Sequence, residues 1–132
     1  MKMIKAQVTP LGSAGSATAT SSFDNTRTQT AGKLYAVYLD YDGVAATTDV
    51  KIMLSDPSVA IFRRANSATD GWFFPRFTPG TRYTPVSTTS AQVADLDPAG
   101  KMLPIAGEMV VNVQGSTQVA NGVTAYVYIE ED

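Results

Sequence analysis

Cysteine and histidine are both absent from the chain's 132 residues. Without cysteine there can be no disulfide, no thiolate metal site and no sulfur nucleophile. Without histidine there is no Ser-His-Asp triad and no imidazole-ligated zinc. A hydrolase built from this sequence would have to work with carboxylates alone or with a lysine base. Charge is also sparse. Only 17% of the residues are Asp, Glu, Lys or Arg, against roughly 25% in an average soluble domain. The net charge of −2 comes from ten basic and twelve acidic residues. No basic cluster is large enough to follow a phosphate backbone, so direct nucleic-acid binding is not expected. Long apolar runs are missing too, so no segment reads as a membrane span. The opening residues, MKMIKAQVTPLGSAGSATATSS, alternate in polarity and hold no apolar core of the kind a secretory signal needs. The expectation is a chain made and folded in a cytoplasm.

What is present is 44% hydrophobic residues in short alternating runs punctuated by turn residues. Lys2 to Thr9 alternates, with Ile4, Ala6 and Val8 on one side, and Pro10 ends the run. Leu11 to Ser22 is almost all Gly, Ser, Ala and Thr. Its composition predicts a flexible loop, or an arm that orders on a partner. Phe23 to Thr30 reads as a polar strand. Tyr35, Val37, Leu39 and Tyr41 share one face of the next run and Leu34, Ala36 and Tyr38 the other, which predicts a central strand. Thr47 to Ser55 and Val59 to Arg64 are further strands around an Asp56-Pro57-Ser58 turn. Ala91 to Leu96 is a weaker strand. Leu103 to Gln114 reads as one alternating strand. Val123, Ala125, Val127 and Ile129 form a last inward row. Asn121-Gly122 is a turn signal, and a loop from Gln114 to Asn121 is expected to join those last two strands as an antiparallel hairpin. No window has helical periodicity. The prediction is an all-β chain: a single β-sandwich, jelly-roll or Ig-like, of 7–9 mostly antiparallel strands. Residues 1–31 would form an N-terminal strand and flexible arm, and residues 32–132 the sandwich.

Sites for chemistry are scarce. Asp40 and Asp42, and again Asp95 and Asp97, have Asp-x-Asp spacing that suits calcium, but the remaining ligands of a calcium loop are missing. Aspartates at strand ends and turns need no ion to explain them. Asp40, Asp49 and Glu108 sit at outward strand positions, and nothing marks two of them as a glycosidase pair. No catalytic constellation and no cofactor motif emerges, so the expectation is a protein that is not an enzyme and uses no cofactor.

The concentrated feature is DGWFFPRFTPGTRYTP, Asp70 to Pro85. Its three prolines forbid a long regular ladder, yet it is rich in the residue types that dominate binding hot spots. Alternation sends part of it each way. Either Phe73 and Phe77 or Trp72 and Phe74 complete the core, and the others remain for a partner. Trp72, Phe74, Arg76, Phe77 and Tyr83, with Arg63 and Arg64, are the candidate interface residues. A sugar platform built on Trp72, Asp70, Asn66 and Arg76 is the competing reading of the same loop.

The strings GKLYAVYLDYDG, TTDVKIMLSD and IFRRANSATDGWFFPRF, then LPIAGEMVVNVQG and NGVTAYVYIEED, together resemble a known family. They are similar to the small β-sandwich decoration, or cement, proteins of tailed-phage heads. The likeness runs from Gly32 to the C-terminus. It rests on Asn66, Thr69 to Gly71 and Phe74 to Arg76, on Pro104 to Gly107, on Gln114-Gly115 and on Asn121-Gly122. The resemblance implies a non-enzymatic virion protein on the capsid exterior, a homotrimer that binds the major capsid protein and stabilises the shell. A tail or baseplate structural protein and a lectin-like carbohydrate-binding module remain as alternatives.

Overall fold

The computed structural model describes residues 1–23, 30–55, 58–77 and 100–131. Ten strands lie within them: β1 (Lys2–Val8), β2 (Ala17–Ser22), β3 (Thr30–Tyr41), β4 (Asp49–Ser55), β5 (Ser58–Arg64), β6 (Gly71–Phe73), β7 (Arg76–Phe77), β8 (Lys101–Gly107), β9 (Met109–Ser116) and β10 (Val123–Glu131). The chain is all-β, and every strand pairing among the described residues is antiparallel. A six-stranded sheet has the order β1-β10-β3-β8-β7, with β6 also paired to β3. A four-stranded sheet has the order β2-β9-β4-β5. The two pack as a β-sandwich. The weaker strand read at Ala91 to Leu96, the Asp56-Pro57 turn, most of the Phe23 to Thr30 strand and the Asp95/Asp97 pair lie outside the described residues.

Alternation explains the core directly. Ile4, Val127, Val37 and Phe73 stand in register across β1, β10, β3 and β6, and all four are buried. Val50, Ile52, Met109, Val111 and Val113 face them from the other sheet, also buried. One departure sits in β3. Ala36 pairs with Tyr128 and Leu34 with Ile129, so Tyr35 is the extra residue of a bulge. The bulge resets the inward row. Leu34, Val37, Leu39 and Tyr41 are buried, while Tyr35 turns out to solvent.

Three expectations are corrected. Leu11 to Ser22 does not hang free: it contains β2, an edge strand on β9. Leu11 and Thr18 exchange backbone hydrogen bonds of 3.1 and 3.0 Å. Gly15 donates to the Ser116 carbonyl at 2.9 Å, and the Thr18 hydroxyl to the Val113 carbonyl at 2.8 Å. Small polar residues bury little apolar area, but here backbone and hydroxyl hydrogen bonds fix the segment instead. Leu103 to Gln114 is two strands, not one. The chain breaks at Gly107, which has a φ of 93°, leaves β3 and joins the opposite sheet as β9. Finally, β9 and β10 do not form a hairpin: they belong to different sheets.

The crossing between them is tightly built. Gly115 adopts a φ of +63°, and a Cβ there would lie 2.7 Å from the Thr47 carbonyl oxygen. The Thr47 hydroxyl in turn donates to the Gly115 carbonyl at 2.7 Å. Gly115→Ala is expected to cost about 1–3 kcal/mol, since it combines a left-handed backbone with a backbone clash. Chemical denaturation measures it. An unchanged midpoint would mean that this backbone relaxes freely.

Candidate functional site: an aromatic sheet face

The strand register that buries Phe73 also determines where its neighbours go. One row further along, Lys5, Tyr126, Tyr38 and Trp72 stand in register on the outer face of the six-stranded sheet. Trp72 lies 4.9 Å, centroid to centroid, from Tyr38 and 5.3 Å from Tyr128. Tyr38 lies 6.0 Å from Tyr126. Phe74 stacks on Trp72 at 6.4 Å and meets Tyr35 edge-on at 5.9 Å. These rings form one continuous surface, because ring pairs at 4.5–7 Å attract one another. Trp72 remains 48% exposed, Phe74 39% and Tyr35 38%. The bulge at Tyr35 matters here, since it turns that ring outward beside Phe74. The outer face of the four-stranded sheet is different in kind. There Thr20, Asn112, Lys51 and Arg63 stand in register, a polar row.

The loop before Trp72 is pinned rather than loose. The Asp70 Oδ1 accepts a 2.7 Å hydrogen bond from the Tyr41 amide. That bond closes the end of β3 and sets β6 in register against Val37 to Leu39. The Asn66 amide donates to Asp49 Oδ1 at 2.9 Å, and the Ser67 amide to the Thr48 carbonyl at 3.1 Å. Beyond Phe74, the Arg76 Nη1 donates to the Tyr35 carbonyl at 2.9 Å and to the Pro75 carbonyl at 2.7 Å. Its guanidinium sits 5.6 Å from the centre of the Tyr35 ring. Arg76 therefore braces the aromatic face. Asp70 and Arg76, two of the three groups expected to hydrogen-bond a sugar beside Trp72, are thus both engaged by backbone.

The sequence-derived interface residues are thus divided. Trp72 and Phe74 are on the face, and Arg76 is at its border. Arg64 is a correction: it points into the sandwich opposite Val50 and is only 1% exposed. Its guanidinium lies 4.9 Å from the centre of the Phe73 ring, a cation–π contact. Arg63 lies on the polar face of the opposite sheet, opposite Lys51. Of Phe77 only the backbone pairing with Lys101 is described, and Tyr83 lies outside the described residues. Sequence reasoning missed Tyr35, Tyr38, Tyr126 and Tyr128 as members of the site. The outward placement of Tyr126 and Tyr128 was readable from alternation. Their meeting with Trp72 depended on strand order.

Two phenols respond to this setting. Loss of surrounding water, then the carboxylates of Asp70 and Asp40, hold Tyr38 above the ordinary tyrosine value. Burial pushes Tyr41 up to about 12, with Arg64 and Ser67 beside its hydroxyl opposing the rise. The fold therefore favours the neutral Tyr41 phenol. That contribution is intact below the ordinary value of 10.0 and is lost as pH rises from there through about 12. A two-unit shift corresponds to about 2–3 kcal/mol. Stability should therefore fall more steeply above pH 10 in the wild type than in Tyr41→Phe, measured as denaturation midpoint against pH. Equal slopes would contradict this.

Among the described residues no group of three or more Asp or Glu is placed to hold a metal ion. Comparison with protein-family models, with curated proteins and with solved structures returns no match to this chain.

Proposed function

We propose that the chain is a structural virion protein, a decoration or cement protein that binds the outer surface of a phage capsid as a homotrimer and stabilises the shell. The observation that carries this reading is the continuous, half-exposed aromatic surface around Trp72 on the outer face of one sheet. Large contiguous apolar patches are uncommon on monomeric soluble proteins and mark interaction surfaces, those for other proteins among them. Tryptophan, tyrosine and phenylalanine are also the side chains enriched at interface centres. These rings are held by strand register and by one another, so little side-chain freedom is lost on docking. The resemblance of Gly32 to the C-terminus to head decoration proteins supports the same reading. The partners are then the major capsid protein and further copies of this chain, on the virion exterior, after synthesis in the host cytoplasm. Three copies joined in one trimer would let weak capsid contacts act together through effective concentration.

Sedimentation velocity of the full chain, alone and mixed with purified heads, tests this. A trimer that travels with the heads is expected. A monomer at every concentration that stays behind when heads pellet would overturn it.

A further inference from the structure

One row along from the aromatic rings the outer face changes character. Gln7, Thr124 and Asp40 stand in register there. They line a depression of about 310 Å³ completed by Asp42, Asn121 and the Tyr126 ring. That size is at the lower end for small-molecule sites, about 300–1,000 Å³. A second depression of about 480 Å³ shares Gln7, Thr124 and Tyr126, then passes Lys5 and rounds the free edge of β1 to reach Ser21 and Ser22. The two make one trough with Tyr126 as a common wall.

We infer that this trough binds a neutral oligosaccharide. The lining is one aromatic ring among convergent polar groups, which can orient a hydroxyl-rich ligand by hydrogen bonds. The carboxylates of Asp40 and Asp42 accept hydrogen bonds from sugar hydroxyls. The Lys5 ammonium donates to them, and the Ser21 and Thr124 hydroxyls do either, while the Ser22 hydroxyl donates to Glu108 Oε1 at 3.4 Å. The Gln7 Nε2 donates to Asn121 Oδ1 at 3.2 Å, which leaves the Gln7 oxygen and the Asn121 amino group for a ligand. The Tyr126 ring, steadied by Tyr38 at 6.0 Å, offers an apolar wall for the C–H face of a pyranose. Acids at one arm and an ammonium at the other argue against a polyanion, and the lack of an apolar channel argues against an acyl chain.

The test is an amide NMR titration of the full chain with cellotetraose, maltotetraose, laminaritetraose and chitotetraose, and with N-acetylarginine amide as a cationic probe. At least one tetrasaccharide is expected to give saturable shifts at Gln7, Asp40, Thr124 and Tyr126 that added salt leaves largely unchanged. Gln7 and Asp42 are exposed, so the Q7A/D42A double variant should keep the remaining spectrum while raising the apparent Kd about tenfold or more. Silence from all four sugars, shifts indifferent to Q7A/D42A, or a response to the arginine probe alone would each overturn the inference. Sugar-induced shifts in a chain that fails to sediment with heads would uphold it and remove only the virion reading.

Discussion

Replacing Trp72 and Phe74 together by serine is expected to abolish assembly while leaving the fold in place. Hot-spot aromatics each contribute about 2 kcal/mol or more to an interface, so the pair should weaken association roughly a thousandfold. Both rings are on the outer face, 48% and 39% exposed. Their loss from the folded chain removes ring contacts with Tyr38, Tyr128 and Tyr35 that are worth about 0.5–1.5 kcal/mol each. Sedimentation should show the loss of head binding, and circular dichroism an unchanged β signal. A double variant that unfolds instead would place these rings in the core.

The residue between them should behave in the opposite way. Phe73 has no exposed surface. It packs 5.1 Å from Phe62 and under the Arg64 guanidinium at 4.9 Å. Phe73→Ala would open a cavity at the end of the Ile4–Val127–Val37 row and leave Arg64 facing it. The expected cost is about 3–5 kcal/mol, a large part of the roughly 5–15 kcal/mol that holds a domain folded. A denaturation midpoint far below the wild type's is the predicted result. If Phe73→Ala melted no earlier than the Trp72/Phe74 double variant, the assignment of inner and outer faces would be reversed.

How far the sequence could be read is plain from particular residues. Alternation named the buried members of β1, β4 and β10 and set Trp72 and Phe74 apart from Phe73. It did so because a strand's period of two is a local property. It could not tell which sheet a strand joins, and so β9 and β10 were paired although they face each other across the core. Nor could it register the bulge at Tyr35, which depends on the mismatch between β3 and β10. Composition misjudged Leu11 to Ser22, because an edge strand can be fixed by hydrogen bonds with little apolar burial. Arg64 reads as an interface residue in the sequence, whereas its strand position and the Phe73 ring put it inside. The aromatic face itself needed strand order: Tyr38, Trp72 and Tyr126 come from three separate parts of the chain and meet only through register.

Trp72 is the chain's single tryptophan, so its fluorescence reports on the aromatic face alone. Acrylamide quenching of that fluorescence, compared between the free chain and the chain bound to purified phage heads, tests the docking face most directly. Strong quenching is expected for the free chain and marked protection for the bound one. Equal quenching in a chain that is demonstrably bound would mean that another surface makes the contact.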